Sequence, residues 1–234
     1  MRSLGVEAER IALIPCGVPE ELLGIAAPGT SPSLFLTVGR LVPKKAPQLI
    51  VEAFADAVPE LPGAKLVMVG DGPLRPDVES IIRSRALQDR VTLTGAQPPS
   101  VVKQYLASAS VFVQHSVTPP DGDIEGWPVA TAEAMAAGLP VIGTDHPGVR
   151  DQIDSERTGL LVPERDVQGL RDAMLRLGRD PVLRERIGAE ATRYMREFVV
   201  PRQVEKLRRV LHDVSRHGAR HRGAGAPQAA VAAR

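Results

Sequence analysis

Glu125 and Glu133 stand eight positions apart in Glu125-Gly126-Trp127-Pro128-Val129-Ala130-Thr131-Ala132-Glu133, across what reads as a loop-to-helix junction. Pro128 suits a first helical turn, and Gly138 with Pro140 marks its end before a short apolar strand. A carboxylate in an early helical turn is favoured in its ionised form by the helix dipole, so Glu133 is expected to accept paired hydrogen bonds from a ribose diol rather than to donate a proton. Glu125 can hold sugar hydroxyls while the backbone of Gly126, Trp127, Pro128 and Val129 approaches the same ligand. Trp127 has two readings, as cover over the site's rim or as packing against the sheet.

A second group lies in Val38-Gly39-Arg40-Leu41-Val42-Pro43-Lys44-Lys45, where a glycine and then basic groups follow an expected strand. Arg40 offers a planar multidentate fork and Lys45 a compact ammonium, and both can offset charge on a departing phosphate without a metal. Lys44 is expected to be the solvated member of the three. Gly70-Asp71-Gly72-Pro73 is another strand-to-helix turn, whose Gly70 and Gly72 let backbone amides approach a ligand or simply shape the turn. There is neither a three-glycine dinucleotide fingerprint nor a GxxxxGK[ST] loop, which argues against a nicotinamide enzyme or an ordinary nucleoside triphosphatase.

These loops need a scaffold. Strands are expected at Ile11 to Pro15, Leu34 to Val38, Lys65 to Val69, Val91 to Leu93, Val111 to Gln114 and Leu139 to Gly143. Helices are expected at Ala46 to Val58, Leu74 to Leu87, Ser100 to Ala107 and Val129 to Ala137, and then at Asp166 to Leu177, Pro181 to Phe198 and Pro201 to Ser215, with Asp166 and Asp180 as caps. Such alternation predicts an α/β fold, a Rossmann-like doubly wound parallel sheet whose ligands sit beyond the carboxyl ends of the strands. The unit is expected to span residues 1–217, with a disordered tail at 218–234 that is rich in Ala, Gly and Arg.

The 234 residues are 43% apolar, enough for a real core, and 29 basic against 28 acidic side chains give no general attraction to nucleic acid or anionic membrane. The single cysteine, Cys16, is expected to be an inert, partly buried thiol, and it forms neither an internal disulfide nor a multi-cysteine metal site. No metal or cofactor is expected; Asp121 and Asp123 read as turn residues. The chain lacks an apolar run of membrane-spanning length and a hydrophobic leader core, so a cytoplasmic setting is expected.

Taken jointly, Gly39-Arg40 with Lys45, Gly70-Asp71-Gly72-Pro73, and Glu125 to Glu133 continuing into Ala134-Met135-Ala136-Ala137-Gly138-Leu139-Pro140-Val141 resemble the nucleotide-sugar-binding half of retaining glycosyltransferases of family four. The resemblance covers roughly Ile11 to Ser215 and implies the C-terminal half of a two-domain GT-B fold. It further implies that Arg40 and Lys45 grip a diphosphate, Glu125 contacts the transferred sugar and Glu133 the ribose, with a nucleotide diphosphate sugar as donor. The style of His115 to Ile124 resembles enzymes that assemble exopolysaccharides. His115 is a candidate donor contact or a structural group, His146 a supporting one, and Gly148 a lining of the sugar pocket.

Such an enzyme also needs an acceptor-binding domain of similar size, here either missing or on another chain, and peripheral membrane association would belong only to that full enzyme. Three rivals remain open at this level. The chain can be a nucleotide-sugar-binding module or truncated fragment without independent transferase activity, a related GT-B epimerase or phosphorylase, or a purely structural α/β domain.

Overall fold

A computed structural model describes Glu7 and residues 11–29 and 33–222. Six strands, β1 (Leu34–Val38), β2 (Lys65–Val69), β3 (Val91–Gly95), β4 (Val111–Gln114), β5 (Val141–Thr144) and β6 (Gly159–Val162), form one sheet in the order β3-β2-β1-β4-β5-β6. Every pairing is parallel. The strands are short apolar runs because both faces are covered: in β1, Phe35 enters one core and Leu36 the other, and in β2, Met68 and Val69 divide likewise.

One core is closed by α1 (Pro47–Ala57), α2 (Arg75–Ser84) and α6 (Val167–Arg179). The other is closed by α3 (Pro99–Ser108) and α4 (Val129–Ala137), with α7 (Pro181–Met195) behind α4. A single turn, α5 (Pro147–Arg150), follows β5, and α8 (Val200–Arg222) leaves the domain. Asp166 and Asp180 cap their helices as expected, accepting from Gly169 N–H and Leu183 N–H at 2.8 Å each.

The chain winds from β1 outward to β3, then restarts at β4 beside β1 and winds the other way. That reversal opens a crevice beyond the carboxyl ends of β1 and β4, and all the loops singled out by residue type gather along this edge.

Four expectations change. Ile11 to Pro15 joins no ladder; Val18 alone makes a parallel bridge, to Val199. Gly159–Val162, given no element from the sequence, is the sixth strand. The last helix continues past Ser215 to Arg222, through the first residues assigned to the tail, and the rest of that tail lies outside the described residues. Cys16 is exposed, because the segment around it runs over the surface instead of entering the sheet. Among the described residues, no helix is long and apolar enough to cross a membrane.

Candidate functional site

The loop after β1 and the loop after β2 cross in direct backbone contact. Leu41 N–H donates to Asp71 O at 3.0 Å and Leu74 N–H to Leu41 O at 3.1 Å. A β-carbon on Gly70 would lie 2.0 Å from Gly39 O, and one on Gly72 would lie 2.4 Å from Leu41 O. Gly70 and Gly72 are therefore required by this crossing, which fixes where the basic loop sits.

After the crossing, Pro43–Lys45 forms a short 3-10 turn that presents two ammonium groups. The aliphatic stem of Lys45 lies over Gly39, where a β-carbon would come 3.0 Å from its Cδ. Lys45 Nζ reaches Glu125 Oε1 at 3.1 Å, while Lys44 Nζ sits 2.9 Å from Asp123 Oδ1 and 3.9 Å from Glu125 Oε1. The Lys45 contact is a charge pair without hydrogen-bond alignment, since Glu125 Oε1 is buried and has no geometrically formed hydrogen bond. Lys44 thus belongs to the cluster and is only 17% exposed, which corrects its expected place in solvent. Arg40 is exposed on the same loop and makes no side-chain hydrogen bond or ion pair among the described residues.

Glu125 is held from below. A β-carbon on Gly148 would lie 2.1 Å from Glu125 O and 2.4 Å from Gly126 O, so the loop rests on the bare backbone of α5. Gly148 is a support, where lining of the pocket was expected. Gly126 faces open space, and Pro128, the cap of α4, supplies no side-chain acceptor. The first amides of α4, beginning at the exposed Val129, are therefore left for whatever lies in front of the helix.

Glu133 occupies the middle of α4, whose other residues beyond the first turn are buried alanines and methionine. It opens into a cleft of about 360 Å³ lined by Leu22, Val38, Gln97, Lys103 and Leu106. Burial raises its pKa, the reverse of the dipole effect expected from sequence, because the helix N-terminus is more than a turn away and desolvation dominates. Among the described residues Glu133 has no hydrogen-bond or ion-pair partner. Val38 ends in this cleft and Gly39 underlies Lys45, so the end of β1 joins the diol-competent carboxylate to the cationic cluster.

His115 and Trp127, each open between a ligand contact and a structural role, both pack into the domain. His115 is fully buried: its Nε2 accepts from Arg165 N–H at 3.1 Å and its Nδ1 lies 3.2 Å from Thr144 Oγ1. The neutral ring carries its proton on Nδ1, and desolvation lowers its pKa to about 4 from an ordinary 6.5. Both nitrogens are spent on bracing the loops after β4, β5 and β6, which is the structural one of its two readings. Trp127 stacks on Phe198 with ring centroids 5.4 Å apart, and Phe198 meets Tyr194 at 5.0 Å; the indole anchors the chain before α8. His146 is buried with Nε2 3.7 Å from Glu164 Oε1. Asp121 closes a turn by accepting from Asp123 N–H at 3.1 Å.

Sequence reasoning missed Lys44 and Gln152. Gln152 Nε2 donates to Pro128 O at 3.1 Å and braces the start of α4. The Lys44-Lys45 dipeptide was the only available signal for the first; nothing local marks the second.

Fold and site together define a doubly wound α/β domain with a cationic cluster and a diol-competent carboxylate on one crevice. The chain belongs to the glycosyl transferases group 1 family, whose profile matches residues 21–194. It is 34% identical, over 75% of its own length and 44% of the relative's, to the amylovoran biosynthesis glycosyltransferase AmsK of Erwinia amylovora. It is also 34% identical, over 99% of its own length and 25% of the relative's, to an exopolysaccharide phosphotransferase of Streptomyces coelicolor. The chain thus spans less than half of these relatives. In fold it resembles the Anabaena protein Alr3699/HepE, solved in complex with UDP and glucose, with a TM-score of 0.77, 20% identity and coverage of 91% of this chain and 59% of that one. The sheet is the Rossmann-like half of a GT-B glycosyltransferase that the motifs imply.

Proposed function

We propose that this chain is the donor-side domain of a retaining glycosyltransferase that moves a glycosyl group from a nucleotide diphosphate sugar to an acceptor hydroxyl, in exopolysaccharide assembly. The observation that carries this reading is the continuity at the end of β1 between the unpaired Glu133 in its cleft and the Lys45–Glu125 pair. Glu133 accepts from the ribose diol. Lys45, Arg40 and the first amides of α4 take the diphosphate, and Glu125 orients the sugar.

In the reaction, the bond between the anomeric carbon and the diphosphate oxygen breaks while the acceptor oxygen bonds to that carbon, and the acceptor's hydroxyl proton passes to the departing diphosphate oxygen. Charge collects on the departing diphosphate, where Arg40 and Lys45 stabilise it. An acceptor-binding half, on the same polypeptide or another chain, positions the hydroxyl and excludes water in a cytoplasmic setting. No cofactor is needed beyond the donor.

Calorimetric titration of the chain with a panel of nucleotide sugars tests the reading. Saturable binding that is lost in Glu133→Ala and Arg40→Ala is expected, and absence of binding across the panel overturns it. The extensive match to a phosphotransferase supports one alternative, transfer of a sugar phosphate. The nucleotide released with the full-length protein decides between them: attack at the anomeric carbon liberates a nucleoside diphosphate, and attack at phosphorus a monophosphate.

A further inference from the structure

The loop between β4 and α4 leaves the domain at Val117 and returns at Glu125, and one residue grips both ends of the excursion. Lys44 O accepts from Val117 N–H at 2.9 Å, at the point of departure. Lys44 Nζ meets Asp123 Oδ1 at 2.9 Å and lies 3.9 Å from Glu125 Oε1, at the return. We infer that Lys44 is a positioning residue: it staples the Thr118 to Ile124 excursion shut and holds Glu125 ready for the sugar when the donor diphosphate occupies Lys45. The inference rests on the donor-domain reading above.

The electrostatics explain why a second lysine is required. Lys45 is the nearer counter-charge of Glu125, at 3.1 Å. A diphosphate bound at Lys45 draws on the same ammonium, and Glu125, with a side chain only 10% exposed, is then left with Lys44 as its cationic neighbour. Without Lys44 the carboxylates of Asp123 and Glu125, gathered around one ammonium, repel each other and the returning strand of the loop splays.

An isolated exposed pair contributes little, and Asp123 is 60% exposed. Here, however, the ammonium is largely covered and shared by two carboxylates, and its own backbone carbonyl fixes the far end of the same loop. The backbone contact survives substitution at Lys44, so loss of the side chain frees only the returning end. Thr118 N–H and Oγ1 on the Glu164 carboxylate at 2.9 Å each, with the Arg165 guanidinium on Thr118 O at 3.2 Å, hold the departing end; at the returning end Glu125 also has Lys45 and the seat on Gly148, whereas among the described residues Asp123 has Lys44 as its ion-pair partner.

Amide hydrogen exchange and calorimetry on the 234-residue chain, compared among wild type, Lys44→Met and Lys44→Arg, test the inference. In Lys44→Met, exchange at residues 121–124 is expected to rise about fivefold or more while the core strands are unchanged. The preference for UDP-glucose over UDP should fall by about five- to tenfold, over and above any change in UDP affinity itself. Lys44→Arg should restore both. Unchanged exchange overturns the staple. Raised exchange with an unchanged sugar preference leaves a purely structural contact and overturns the positioning role. A wild-type chain that binds neither UDP nor UDP-glucose nor any other nucleotide sugar sinks the donor-domain reading and the positioning role with it, while the exchange data still judge the staple separately.

Discussion

The carbonyl oxygen of Glu125 lies 2.1 Å from where a β-carbon on Gly148 would stand. The contact is backbone against backbone, so neither partner can rotate away. Gly148→Ala is expected to lift the Glu125 loop off α5, lowering stability by about 1–3 kcal/mol, the usual range for an overpacked interior. Donor affinity should fall further than that loss alone requires, because the carboxylate moves. Urea unfolding and calorimetry on one preparation check both; a variant with wild-type donor affinity would contradict the placement of Glu125 in the site.

Glu133 carries a trade-off between stability and binding. Its folded-state pKa is raised by burial, so the folded chain holds this proton more tightly than the unfolded chain does. Its stabilising share is therefore present below the unfolded pKa and lost as pH rises through the folded one, which leaves the ionised group unfavourable at neutral pH. Glu133→Gln is expected to raise stability by about 0.5–2 kcal/mol while weakening donor binding roughly 10- to 100-fold through lost charge-assisted hydrogen bonds. Thermal melts with and without donor show both signs at once.

His115 predicts acid sensitivity. Its folded pKa, about 4, lies below the ordinary 6.5, so the unfolded chain takes up the proton first. Stability from this residue is complete above pH 6.5 and declines toward pH 4, by about 1.4 kcal/mol per pH unit at most and about 3 kcal/mol in total. Urea midpoints measured across that window should fall in the wild type. His115→Asn, although weaker at neutral pH, should show a shallower slope.

Arg184 predicts a structural loss without a binding effect. Arg184 is 1% exposed, and its guanidinium donates to Leu177 O at 2.7 Å, to Gly178 O at 3.2 Å and to Pro28 O, tying the end of α6 to the N-terminal segment. Arg184→Met should destabilise the chain by about 2–4 kcal/mol, since carbonyls at a helix C-terminus lose both donors and positive charge. Donor affinity measured well below the melting temperature should stay unchanged.

The arrangement of strands was legible wherever an apolar run met a glycine. Leu34–Val38 and Lys65–Val69 are bounded as the residues suggest, because Gly39 and Gly70 end them at the crossing of two loops. Gly159–Val162 was hidden by the helical pattern after it. Ile11 to Pro15 shows the opposite failure: a β-prone run remains outside the sheet when no neighbouring edge accepts it.

In the site, residue type revealed the charges but not their partners. Lys44 and Lys45 are adjacent and chemically equivalent, and only the return of the loop at Asp123 gives each a different carboxylate. For His115 and Trp127 residue type left a ligand contact and a structural role both open. Their partners, Arg165 N–H and Phe198, lie far along the chain and are brought in by tertiary packing.

The bridge between Val18 and Val199 sets limits on how far the chain can be trimmed. Val18 N–H donates to Phe198 O at 2.9 Å and Val200 N–H donates back to Val18 O at 3.0 Å, so the incoming segment and the beginning of α8 are fastened to each other. A shorter piece prepared for crystallisation must therefore keep both: shaving the first twenty residues would loosen the far terminus as well, and cutting before Val200 would release the near one. Most of α8, by contrast, lies beyond the clasp, with Leu211 and Val214 exposed at 59% and 65%, and can be shortened without touching the fastening.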